Sequence, residues 1–145
     1  MPTIFTKIVN REIPAHIVAE DDEFLAFLDI RPIVKGHTLV IPKKEIDYLF
    51  DIEDDLMGRM MFFTKKVANA LKLAIDCKRV GIAASGFEIP HAHLHLCPIN
   101  TTPEMACTNP PLQFSNEEMN SISQKIRESY VNLYGNSSLR SGSGD

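Results

Sequence analysis

Pro90-His91-Ala92-His93-Leu94-His95-Leu96-Cys97-Pro98 places three of the chain's five histidines at i, i+2 and i+4. A strand sends successive side chains to opposite faces. On a strand running from His91 to Cys97, His91, His93 and His95 therefore share one face, while Ala92, Leu94 and Leu96 share the other and join a core. The result is a row of imidazoles about 7 Å apart along the strand axis. Packing alone is a poor account of three polar rings in strict alternation. Two chemistries account for them better. One is metal ligation, for which imidazole is the commonest transition-metal ligand. The other is attack on phosphorus by neutral imidazole, whose ordinary pKa of about 6.5 leaves much of it uncharged at pH 7. Such an attack forms a covalent phosphorus–nitrogen intermediate and splits one difficult displacement into two easier ones. Neighbouring imidazoles then hydrogen-bond the nonbridging oxygens and assist the leaving group.

Working outward, Ile17–Glu20 and Phe24–Leu28 read as short strands joined by the polar turn Asp21-Asp22, and 37–41 as a third, preceded by Gly36 and closed by Pro42. Val80–Ala84 is a fourth strand candidate before the histidine strand. Ile4, Phe5 and Ile8 fall at helical spacing within 3–11. Leu56, Met60, Phe63, Val67, Leu71 and Ala74 mark the buried face of a long helix over 53–75. Its first turn holds Glu53, Asp54 and Asp55, which suit the positive end of the helix dipole. A Pro-rich loop over 98–111 leads to a last helix that opens on Ser115 and Glu118 in capping-box spacing. Hairpins rather than strict strand-helix alternation predict an α+β fold with a five-stranded, mostly antiparallel sheet, one long helix and one C-terminal helix.

The chain has 145 residues, 44% hydrophobic and 23% charged, which suits one globular domain, placed at 1–134. Residues 135–145 are Ser/Gly-rich and expected to be a flexible tail. A net charge of −4 argues against nucleic-acid binding, which needs a basic face. No apolar run is long enough for a membrane span, and no secretory leader is expected at the N-terminus. Cys77, Cys97 and Cys107 are odd in number and form no C-x-x-C pair, so reduced thiols and a cytoplasmic location are expected.

The stretch His91-Ala92-His93-Leu94-His95-Leu96-Cys97 resembles the histidine-triad (HIT) signature, in which histidines alternate with apolar residues. The likeness continues upstream through 3–9, Glu12-Ile13-Pro14, Glu20-Asp21-Asp22, the block from Ala26 to Pro32, and Gly36-His37-Thr38-Leu39-Val40-Ile41-Pro42-Lys43-Lys44. It covers roughly residues 3–98 and is closest to the nucleotide-binding HINT-like branch. The resemblance implies a HIT-like fold whose sheet continues across a homodimer. It also implies a nucleotide phosphoramidase or nucleotidyl hydrolase that cleaves at the α-phosphate of a purine nucleotide through a nucleotidyl-histidine intermediate, with no cofactor. By position, His93 matches the nucleophile, His95 the residue on the reacting phosphate, and His91 and His37 the histidines that orient the site. Asp29 matches the acid on the ribose hydroxyls, with turn capping as its other reading. Phe5, Ile8, Ile13, Phe27 and Ile30 match the apolar pocket for the base, and Ile8 reads equally as core.

The sequence also departs from that pattern. Phe87 stands where the family has Gln, and Glu88 where it often has Ser or Thr. These departures leave open a nucleotide-binding module with little turnover. Glu88 would put negative charge near an anionic substrate and is expected to favour an amine leaving group. Many bacterial HIT proteins hold zinc with a C-x-x-C pair and a histidine after the P-K-K block. Here those positions are Thr3, Thr6 and Glu45, so that thiolate-rich site is not expected. A metal-dependent enzyme using the histidine row remains a third reading.

Overall fold

A computed structural model describes residues 2–135; all but the first residue of the expected 135–145 tail lies outside the described residues. Five strands, β1 (Ile17–Glu20), β2 (Phe24–Leu28), β3 (Thr38–Pro42), β4 (Arg79–Ala83) and β5 (Leu94–Ile99), form one sheet in the order β1-β2-β3-β5-β4. Every neighbouring pair is antiparallel. The helices are α1 (Ile4–Val9), α2 (Asp54–Ala74) and α3 (Asn116–Tyr134). The expected five-stranded antiparallel α+β architecture is what the chain adopts. Among the described residues, no helix is long and apolar enough to cross a membrane.

The sheet is covered on both faces, and alternation along its central strands sorts the side chains. Phe24, Ala26 and Leu28 of β2, Val40 of β3, and Leu94 and Leu96 of β5 face α2 and α3 in the larger core. Leu25 and Phe27 of β2, with Leu39 and Ile41 of β3, point the other way and pack with Phe5 and Ile8 of α1. The long helix presents Leu56, Met60, Phe63, Val67, Leu71 and Ala74 to the larger core, as their spacing required. Its N-cap is Glu53, and α3 opens with the Ser115–Glu118 capping box, so both helix starts satisfy backbone donors that would otherwise be orphaned.

One boundary differs from the sequence reading, and it matters for the site. The strand expected over His91–Cys97 begins only at Leu94 and runs on to Ile99. The β3–β5 register, Thr38↔Leu96 to Val40↔Leu94, would next bring Ala92 opposite Pro42. There the ladder is replaced. The Pro42 carbonyl accepts from His91 Nε2 at 2.8 Å, and the Ala92 N–H turns to the Ile46 carbonyl at 2.7 Å. At the other end, Pro98 lies beyond the start of β3, where that side of β5 has no partner strand, so its missing N–H costs no ladder bond. Gly36 turns the chain into β3 with φ +86°. A Cβ there would meet Ile75 at 3.1 Å and Pro98 at 3.2 Å, so both conformation and space call for glycine just before His37.

Candidate active site

The four histidines singled out by sequence come together on the α1 side of the sheet, although only His95 lies on a strand. The rings of His37 and His95, and of His95 and His93, are each 5.1 Å apart between centroids. Phe5 of α1 presents edge-on contacts to His91 at 5.7 Å and to His93 at 5.2 Å, and it also packs against Phe27. The short first helix is thus a wall of the histidine cluster.

The hydrogen bonds assign the protons. The His91 carbonyl can only accept, so the 2.7 Å contact from His93 Nδ1 fixes a proton on that nitrogen. This leaves His93 Nε2, in the neutral ring, with a lone pair and no hydrogen-bond partner among the described residues. His37 Nδ1 accepts the Ile33 N–H at 3.2 Å, so its proton is on Nε2. That nitrogen donates to His95 Nδ1 at 2.9 Å, which places the His95 proton on Nε2. The two rings therefore play opposite parts: His93 offers an attacking nitrogen and His95 offers an N–H.

Burial keeps this relay neutral. It pushes the His37 pKa down to about 4, against the opposing pull of the Asp29 carboxylate; the charge of a protonated His95 would lower it further. Burial likewise lowers the pKa of His91 and of His95. Asp29 Oδ2 lies 3.7 Å from His37 Nε2, within ion-pair range. Near pH 7 the imidazole is uncharged and its N–H is committed to His95, so this is a nearby charge rather than a salt bridge. Asp29 Oδ1 meanwhile accepts the Arg31 N–H at 2.9 Å. The turn-capping reading of Asp29 is therefore realised by one carboxylate oxygen, while the other faces the histidines.

The proposed base-pocket residues divide. Phe5, Ile8 and Phe27 are buried in the smaller core and Ile13 packs at its margin. Ile30 is on the turn after β2 and 76% exposed. His16 is half-buried just ahead of β1. Cys97 is fully buried, and its thiol is pushed up to about 12 by burial, so it behaves as a small apolar side chain.

Sequence reasoning missed what holds His91. Its Nε2–H donates to Pro42, and its Nδ1 accepts from Thr3 Oγ1 at 2.9 Å. Thr3 also caps α1 by accepting the Thr6 N–H. Glu45 Oε1 accepts from the Thr3 N–H at 2.9 Å and the Thr6 hydroxyl at 2.6 Å. Thr3, Thr6 and Glu45 are the three positions of the zinc-bearing pattern, with threonines in the thiolate places, and here they gather at His91. Two hydroxyls and a carboxylate do not make a structural zinc set; they make a hydrogen-bonded clasp instead. Thr3→Val removes both the cap and the donor to a buried imidazole, an expected loss of about 2 kcal/mol. Urea unfolding should show that loss, and a chelator should leave the wild-type midpoint unchanged. A chelator-sensitive midpoint would contradict the clasp.

Two groups among the described residues gather metal-ligand atoms within 4.8 Å: Asp29, His37 and His95, and Glu88, His93 and His95. The relay disfavours both. Coordination through His37 Nε2 requires its proton to move to Nδ1, against the Ile33 N–H. Coordination through His95 Nε2 drives the same rearrangement through the shared hydrogen bond.

A sheet of this order with His93 poised beside His95 defines a histidine-triad domain. The profile of the HIT domain matches residues 10–102, well over half of the chain, and the chain belongs to that family. A HIT-like protein from Borreliella burgdorferi is 43% identical over 102 residues, covering 66% of this chain and 73% of its own. The crystal structure of a hypothetical histidine triad nucleotide-binding protein from Sulfolobus tokodaii superposes with a TM-score of 0.81 at 28% identity, covering 94% of this chain and 99% of the other. A HIT family hydrolase from Legionella pneumophila superposes with a TM-score of 0.60 at 35% identity, covering 74% and 99%. The family thus includes hydrolases.

Proposed function

We propose that the protein is a nucleotide phosphoramidase or nucleotidyl hydrolase that cleaves a bond at the α-phosphate of a purine nucleotide. The observation that carries this reading is the fixed proton pattern. His93 Nε2 is left with a lone pair beside a ring whose N–H is free to bind a phosphoryl oxygen. In this reading His93 attacks phosphorus and forms a nucleotidyl-histidine, which water then hydrolyses. The His95 Nε2–H stabilises charge on the nonbridging oxygens, and His37 and His91 hold the two working rings. Asp29 Oδ2 accepts from the ribose hydroxyls, and Phe5, Ile8, Ile13, Phe27 and Ile30 belong to the side that receives the base.

The test is to quench a reaction with adenosine 5′-phosphoramidate and map the label. An adenylyl mass on the peptide containing His93, formed equally with chelator present, is the expected result. Nucleotide binding with no such adduct would instead favour a binding module with little turnover, the reading that Phe87 and Glu88 motivate. Loss of turnover on chelation would favour a metal enzyme.

The same reading includes a homodimer in which the sheet continues across the interface. Edge strand β4, which exposes Ile82, is the free margin beside β5. Sedimentation should give twice the 16.3 kDa chain mass, and a monomer at micromolar concentration would refute this part.

A further inference from the structure

We propose that Glu88 is a specificity-determining residue that selects amine leaving groups over anionic phosphate ones. The inference rests on the hydrolase reading above and deepens it. Glu88 is exposed on the loop between β4 and β5, which turns at Gly86 with φ +85°. A carboxylate oxygen of Glu88 and one ring nitrogen each of His93 and His95 all lie within 4.8 Å of one another. The ion pairs among the described residues use Glu20 and Glu23, the Asp29 carboxylate faces neutral His37, and none of these contacts engages Glu88. An uncompensated carboxylate therefore stands at the two nitrogens closest to the chemistry.

The proton relay supplies the second half of the argument. His95 holds a single proton on Nε2, because its Nδ1 already accepts from His37, whose own Nδ1 accepts from Ile33. Giving that proton away would leave an imidazolate in a buried relay. His95 therefore donates a hydrogen bond without acting as the net acid, and the leaving atom must bring its own proton. A phosphoramidate nitrogen does so by taking a proton from solvent before cleavage. The His93 Nε2–phosphorus bond then forms, the phosphorus–nitrogen bond breaks, and its electron pair returns to nitrogen. The amine departs as a neutral molecule that gains a further proton in water. Glu88 favours the protonated nitrogen before cleavage and the ammonium after it. A polyphosphate leaving group departs with its negative charge beside the same carboxylate and is disfavoured by it.

The experiment compares kcat/KM for an alkylamine phosphoramidate of AMP and for a dinucleoside polyphosphate in wild type, Glu88→Gln and Glu88→Asp. Circular dichroism checks the fold of each. Glu88→Gln should shrink the amine-to-polyphosphate ratio by about 10-fold, with polyphosphate turnover rising, and Glu88→Asp should keep most of the preference. Added salt should narrow the wild-type ratio and leave the Glu88→Gln ratio unmoved, because screening acts on a charge and not on shape. An unchanged ratio in Glu88→Gln, with the His93 adduct still forming, overturns the role of Glu88 alone. Absence of both turnover and adduct in wild type overturns the hydrolase reading and this inference with it.

Discussion

His93→Ala should lower turnover of a nucleoside phosphoramidate on the order of 10⁴-fold or more, while nucleotide binding changes little. The asymmetry follows from the site. His93 is the histidine whose Nε2 carries an unclaimed lone pair, since His37 and His95 hold protons there and His91 Nε2 donates to Pro42. Its removal leaves no covalent route. The surfaces proposed to hold the nucleotide, Asp29 and the apolar side chains around Phe27, lie on β2, α1 and the following turn, and they remain in place. The check pairs steady-state kinetics with calorimetric binding of AMP and with the adduct experiment. A variant that keeps more than about a tenth of wild-type turnover would remove His93 from its role. Loss of folding is a separate outcome, and His93→Gln, which retains an amide N–H able to donate to the His91 carbonyl, guards against it.

The second large effect is on stability against pH. The native state holds His37 neutral down to about pH 4, whereas an unfolded chain protonates the same ring near 6.5. As pH falls through 6.5, the unfolded state binds a proton that the native state refuses. Stability drops between about 6.5 and 4 and levels off below. The difference corresponds to about 3 kcal/mol from this ring alone. His91 and His95, also shifted down by burial, add in the same direction. Urea unfolding in steps from pH 7.5 to 4 measures the slope. His37→Asn, whose amide can still donate to His95, should flatten it in that window. An unchanged slope in the variant would show that His37 is not the group responsible.

What the sequence made legible was whatever depends on local period and local chemistry. Alternation placed Leu94 and Leu96 on the helix-covered face and the histidines opposite. The spacing of Leu56 to Ala74 marked the buried stripe of α2, and Ser115 with Glu118 marked the start of α3. The start of β5 was not legible, because a side chain displaced a backbone partner: the His91 ring takes the Pro42 carbonyl, and no periodicity encodes that. The clasp was hidden for a related reason. Thr3 meets His91 across 88 positions and Glu45 across 42, and a threonine in a helix cap looks the same with or without an imidazole behind it. Ile30 shows the reverse case, in which apolar identity did not reveal a residue standing out in solvent.

The acceptor that orients His93 is a peptide oxygen, that of His91. No exchange of side chains can delete it, so the geometry of attack is insulated from much of the variation the surrounding positions will accumulate. A lineage carrying this domain is free to try new chemistry at the departing end, around position 88, without disarming the atom that begins the reaction.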